Sequence, residues 1–235
     1  MMALTPSQKL ICERVVNVFE SGSPQGDYSN ISIYNDGPHS ILQLTYGRSQ
    51  TTEYGNLREL VQMYVDAGGK YSAALASYVS KIGRTPLVND DTFKSYLRKA
   101  GREDQVMRDT QDAFFDKRYF MPAMQWANDH GFKEPLSALV IYDSFIHSGS
   151  ILDFLRAKFP EKPPSEGGDE KTWTREYVEA RNDWLATSSR TILHATVYRT
   201  KCFMREIARN NWDLTQLPIM AHGVPVDDQY NTRVI

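Results

Sequence analysis

The stretch T-P-S-Q-K-L-I-C-E-R-V-V-N-V-F-E-S-G-S-P, residues 5–24, decides how the rest of the chain is read. Thr5, Pro6 and Gln8 spell a helix start: a hydroxyl cap, a proline in the first turn and a glutamine three residues after the cap. Leu10, Ile11, Val15, Val18 and Phe19 then recur at helical spacing, and Ser21-Gly22-Ser23-Pro24 ends the run. Glu20 closes this helix. Two β-like runs follow, 31–34 and 41–46, separated by Asn35-Asp36-Gly37-Pro38-His39-Ser40. Turn formers between two runs of β-branched and aromatic residues predict a hairpin with Asp36 at its tip.

Beyond the hairpin the pattern is helical throughout. Helices are expected over 56–65, 71–82, 91–100, 102–130, 135–148, 151–159, 170–186 and 191–210, with glycines at 68, 69, 83 and 101 as stops. Pro122 should kink or split the long segment 102–130. P-E-K-P-P-S-E-G-G-D, from Pro160 to Asp169, is a loop of the kind that lines an active site or joins lobes. There is no internal repeat, heptad run or low-complexity tract. The expectation is a mainly α fold with one small hairpin, built from residues 1–235 as one large domain or two lobes sharing a cleft.

Composition narrows the function by exclusion. Lys plus Arg is 27 and Asp plus Glu is 29, a net charge of −2, with no basic run, which argues against a nucleic-acid or anionic-membrane binder. No apolar run approaches the ~20 residues that span a bilayer. The start M-M-A-L-T-P-S-Q-K shows no basic region followed by an apolar stretch, so no secretory signal is visible. Cys12 and Cys202 are the only cysteines; they either bond each other or are buried free thiols.

Glu20 and Asp36 are the chemically suggestive pair. A carboxyl at a helix C-terminus feels the negative end of the helix dipole, and an apolar neighbour such as Phe19 adds desolvation; both disfavour ionisation. A turn aspartate stays hydrated and ionised. Such a separation lets one group donate a proton while the other accepts one, as glycoside hydrolysis requires. Ser40, four residues after Asp36, is placed to hold an attacking water. The plain alternative is that Asp36 makes a turn with Gly37. Other chemistries find less support. His39, His130, His147, His194 and His222 show no H-x-x-x-H spacing, so no metal is expected. No G-x-S-x-G elbow and no phosphate-binding glycine loop is present. Trp126, Trp173, Trp184 and Trp212 are candidates for stacking on sugars, with core packing the stronger reading for those in helices.

Taken in order, these residues resemble the family 46 chitosanases. The likeness rests on the helix ending in Glu20, the segment from Tyr28 to Asp36, and L-R-E-L-V-Q-M-Y at 57–64. It continues through R-D-T-Q-D-A-F-F-D-K-R-Y-F-M-P-A-M at 108–124 and I-Y-D-S-F-I-H-S-G at 141–149. G-G-D-E-K-T-W at 167–173, E-A-R at 179–181 and R-N-N-W-D-L at 209–214 complete the set. The resemblance implies a lysozyme-like fold of two mainly helical lobes with the small sheet and the 160–169 loop beside the cleft. It implies inverting endo-hydrolysis of β-1,4-linked glucosamine polymer without cofactor or metal, by a secreted protein expected to be a monomer.

On this resemblance Glu20 is the acid and Asp36 the base, with carboxyl groups ~6.5–9.5 Å apart to admit a water. Asp143, Arg181 and Arg199 fall where the family places a buried ion network, either structural or tuning the acid. Tyr28, His39, Glu53, Asn56 and His147 are the implied sugar contacts. The chain departs from the family after Asp36. Gly37-Pro38-His39-Ser40 stands where Gly-Arg-Gly-Tyr-Thr is usual, one residue shorter, so Ser40 takes the place of the water-orienting threonine. Asn56 stands where a carboxylate usually meets a glucosamine ammonium, although Glu53 is close by. These departures keep open a peptidoglycan-cleaving enzyme, and a non-catalytic carbohydrate-binding relative.

Overall fold

The computed structural model describes residues 2–48 and 50–229. The chain forms two compact units, one from residues 1–24 and 118–235 and the other from 25–117.

The first unit opens with α1 (Pro6–Ser21). Its start is the capping box read in the sequence: Thr5 Oγ1 accepts from Gln8 N, and Gln8 Oε1 accepts from Thr5 N. Gly22, at φ 75°, ends it, donating its N–H to the Val18 carbonyl; the left-handed turn is one that glycine adopts without strain. Ile11, Val15, Val16, Val18 and Phe19 are buried. α7 (Pro135–Ser148) is buried continuously from Leu136 to Ser144, so a charge on it can persist only if paired. It packs against α1, α6 (Met121–Asp129), α9 (Glu170–Thr187) and α10 (Tyr198–Ala208). Trp173, Phe132, Phe159 and Tyr177 form an aromatic cluster around the start of α9. Cys12 and Cys202 are buried free thiols, and desolvation pushes both well above the usual thiol range.

The second unit holds the antiparallel sheet β1 (Ile31–Tyr34), β2 (Gln43–Tyr46) and β3 (Thr51–Thr52). Its register pairs Ile33 with Leu44 and Tyr34 with Gln43. α2 (Leu57–Asp66), α3 (Ser72–Val79), α4 (Asp91–Glu103) and α5 (Gln105–Phe115) supply the core around Leu44, Leu60, Tyr64, Phe93 and Leu97.

Four expectations are corrected. α4 does not stop at Gly101: a Cβ there would stand 2.2 Å from the Tyr28 carbonyl oxygen, so the glycine marks close backbone approach and not a helix end. The 102–130 segment is three pieces, because Asp104 caps α5 and a wide π-helical turn, Asp116–Phe120, precedes α6; Pro122 sits harmlessly in the first turn of α6. The 151–159 helix shrinks to α8 (Asp153–Arg156), and 191–196 is a 3₁₀ stretch before α10. A second sheet, β4 (Ile219–Ala221) with β5 (Val224–Val226), lies where no strand was read. Pro225 and the brevity of these runs hide them.

Candidate active site

Glu20 occupies the last turn of α1, and α10 meets it with Arg199. Arg199 Nη2 lies 2.5 Å from Glu20 Oε1, and Nη1 lies 2.6 Å from Asp143 Oδ1. Arg181, from α9, bonds the other Asp143 oxygen at 2.7 Å. Asp143 and Arg181 are fully buried and Arg199 nearly so, whereas the Glu20 side chain keeps 19% exposure. Four charges from four helices therefore form one chain that starts in the core and ends at a partly exposed carboxyl. Burial would raise the Asp143 carboxyl, but Arg199 and Arg181 hold it below the ordinary range. Burial opposes the charged form of Arg199, and Asp143 and Glu20 outweigh it, keeping the guanidinium charged.

Two groups complete the surroundings of Glu20. The Arg199 guanidinium lies over the Phe19 ring, 5.3 Å from its centroid, and Tyr198 donates its hydroxyl to the Phe19 carbonyl at 2.8 Å. Together they fix the last turn of α1. Neither Phe19 nor Tyr198 was singled out as a positioning group; an aromatic-Arg dipeptide at a helix start gives no pattern that distinguishes it from core. His147, on α7 one turn beyond Asp143, is pushed down to about 4 by burial and by the Arg199 and Arg181 charges, so it is neutral at pH 7.

Asp36 has a different setting. It is exposed in the turn after β1, and one side-chain hydrogen bond holds it: Gln43 Nε2 donates to Asp36 Oδ1 at 2.9 Å. Gln43 is itself buried, and its Oε1 accepts from Tyr54 N. The signal for this contact in the sequence is a polar glutamine inside an otherwise apolar strand. The loop closes by Gly37 N to Ile41 O at 3.0 Å and Ser40 N to Gly37 O at 2.9 Å. Gly37 has no room for a side chain, since a Cβ would meet the Ile41 carbonyl oxygen at 2.8 Å. His39 and Ser40 both adopt left-handed backbone, φ 56° and 61°, and both are exposed. Strained, exposed side chains next to a carboxylate are the kind of feature that functional loops retain.

Three of the expected sugar contacts are reassigned or qualified. Glu53 is fully buried; its carboxylate accepts from Leu87 N at 2.7 Å and Leu44 N at 3.3 Å, and burial raises its pKa. It fastens β2 to the segment around Leu87 and has no surface with which to meet a sugar. Tyr28 donates its hydroxyl to Asp112, which also pairs with Arg48, so the phenol is spent on holding this unit together. Asn56 sits at the cap position of α2, half-buried, and makes no side-chain capping bond, which leaves its amide for another partner. The 160–169 loop folds against its own unit, with Ser165 N bonded to the His130 carbonyl and Glu161 N to Glu176. Among the described residues no cluster of His, Cys, Asp and Glu is arranged to hold a metal, and no helix is long and apolar enough to cross a membrane.

A mainly helical scaffold with a small antiparallel sheet is the frame of a lysozyme-like glycoside hydrolase. The chain belongs to glycosyl hydrolase family 46, whose model it matches over residues 14–219. A chitosanase of Bacillus subtilis (strain 168) is 29% identical over 196 residues, covering 77% of this chain and 69% of that protein. In fold, the chain is similar to a mutant chitosanase from Bacillus subtilis MY002 complexed with 6 GlcN. That similarity has a TM-score of 0.79 at 23% identity, over 96% of this chain and 100% of the other. It is also similar to the family 46 chitosanase of Gynuella sunshinyii in complex with chitotetraose, with a TM-score of 0.78 at 22% identity over 97% and 100%.

Proposed function

We propose that this protein cleaves β-1,4-glucosamine linkages inside chitosan chains with inversion, Glu20 acting as general acid and Asp36 as general base. The observation that carries the reading is the pair of opposed environments: Glu20 held by Arg199, which Asp143 anchors in turn, and Asp36 standing in a solvated loop. Glu20 gives its proton to the glycosidic oxygen as the bond to the anomeric carbon breaks. Asp36 takes a proton from a water whose oxygen bonds that carbon from the opposite face. Both carboxyls then exchange protons with solvent and return to their starting states.

Arg199 fixes the direction of the Glu20 carboxyl, because both of its terminal nitrogens are already committed. Ser40 orients the attacking water, its hydroxyl being exposed in the same loop as Asp36. His39 and Asn56 meet sugar hydroxyls, and neutral His147 does so beside the ion chain. Glu53, fully buried, takes no part in binding. The chitosanase names of the relatives support chitosan as substrate. A polymer of that size places the reaction outside the cell.

Hydrolysis of soluble chitosan, followed by reducing ends and product mass, tests the assignment. Glu20→Gln and Asp36→Asn should each lower the rate by about 10²–10⁴-fold. Proton NMR of the first products should show the α anomer. Near-normal rates in both variants, or activity on cell-wall sacculi and none on chitosan, would sink it.

A further inference from the structure

We propose that a pocket in the first unit, sharing no residue with the Glu20 ion chain, binds a single glucosamine unit without cleaving it. The pocket has a volume of about 200 Å³, room for one small ring, and Trp126, His130, Asp153, Arg156, Glu166 and Trp173 are among its lining residues.

The lining carries the chemistry of a polyhydroxylated amine. Trp173 is fully buried, yet its indole N–H has no hydrogen-bond partner among the described residues. A buried donor without an acceptor is costly, so this indole backs the pocket as a group that packing alone leaves unsatisfied. His130 stacks on Trp126 at 3.9 Å between centroids and 17° between planes, and its Nδ1 donates to the Trp126 carbonyl at 2.8 Å. That bond leaves Nε2 as the ring nitrogen for a further partner. Arg156 uses one nitrogen on the Phe159 carbonyl, which leaves donors to spare. Donors, a ring nitrogen and indole walls together are what a sugar ring needs.

The two carboxylates set the class of sugar. Asp153 and Glu166 are exposed and make no side-chain hydrogen bond or ion pair among the described residues. Two acidic groups against one guanidinium leave the mouth negative, which favours an ammonium group over a neutral or anionic substituent. The choice of an amino sugar rests on the chitosan reading above; the existence of the pocket and its polar lining does not.

The test uses the full chain carrying Glu20→Gln and labelled with ¹⁵N, titrated with glucosamine and, separately, with glucose. The Trp173 indole resonance, assigned by Trp173→Phe, should shift saturably with glucosamine and respond at least ~10-fold more weakly to glucose. Asp153→Asn with Glu166→Gln should weaken glucosamine binding by about 10-fold, as expected for two exposed charge pairs. The same double substitution in the otherwise unaltered enzyme should leave cleavage of short chitosan oligomers unchanged. An unmoved Trp173 resonance, an equal response to glucose, or undiminished binding in the double variant would each overturn the proposal. Because monomer binding is read at Trp173 and hydrolysis at the products, failure of this site and failure of the chitosan reading are separately visible.

Discussion

Glu20 and Asp36 are held by opposite means. Glu20 ends a chain of buried charges drawn from four helices, so its position is set by groups that are expensive to disturb. Asp36 hangs on one amide hydrogen bond in an exposed loop, and its disturbance reaches little else. In the proposed roles, the acid must sit still against the leaving oxygen, which a rigid buried network would deliver, and the base needs hydration, which an exposed turn would deliver. Each setting has a cost that experiment can read. On the acid side it is stability invested in pairing charges, and on the base side it is backbone strain at His39 and Ser40.

The largest predicted difference is in stability. Asp143→Asn leaves Arg181 and Arg199 buried with half their compensation gone, and should destabilise the protein by about 3–5 kcal/mol. Asp36→Asn keeps an oxygen for Gln43 and should stay within ~0.5 kcal/mol of the parent. Denaturant melts of the two variants check this. Equal losses would erase the contrast.

A pH dependence sharpens the same contrast. His147 is pushed down to about 4 in the folded protein by burial and by Arg199 and Arg181, against an ordinary value near 6.5. Between those values the unfolded chain binds a proton that the folded one does not, so stability is full above pH ~6.5 and falls as pH drops toward 4. Thermal melts across that window should show the fall, and His147→Gln should flatten it. Asp143 adds a further loss at lower pH. Its folded value is depressed, so its contribution is complete above the ordinary carboxylate range and is lost below that range, as the pH falls through the lowered folded value.

The two regions were also unequally legible in the sequence. The acid side is built from long helices whose caps and apolar spacing are local signals, and α1 and α7 fall where the pattern puts them. Asp143, Arg181 and Arg199 meet across the fold, and only the ordered resemblance pointed to them. On the base side the signals misled. Glu53 is close in sequence to the expected ammonium contact, but strand pairing carries it inward; nothing in the alternation around T-T-E-Y separates an inward carboxylate from an outward one. Gly101 was read as a stop because glycine usually breaks helices, whereas here tertiary contact with Tyr28 requires it. The strands β4 and β5 are too short for a period to register.

That contact supplies the next prediction. Gly101→Ala would push a methyl group against the Tyr28 carbonyl, on the segment that leads into β1 and the Asp36 loop. Overpacking of this kind should cost about 1–3 kcal/mol. Chitosan hydrolysis should fall as well, since the strand that carries the base must move; unchanged melting and unchanged rate would show that Tyr28 yields freely.

Gln43 offers the finest test, because its side-chain hydrogen bonds go to Asp36 and to Tyr54 N. Gln43→Ala removes the acceptor for Tyr54 N and the bond to the Asp36 carboxylate, and at about 1.5 kcal/mol for a hydrogen bond to a charged group should lower kcat/KM roughly 10-fold. Gln43→Glu acts differently, since it sets a second carboxyl within hydrogen-bond reach of the first. The two would share a proton, and the pair would titrate with separated apparent values. A base must be ionised to take a proton from water, so the acid limb of the kcat/KM profile should move to higher pH, with rate recovered as the pH rises. If Asp36 is the base, the shift is much larger in Glu than in Ala. If the two variants share one profile, the acid limb belongs to another group and the division of labour between the two carboxyls is wrong.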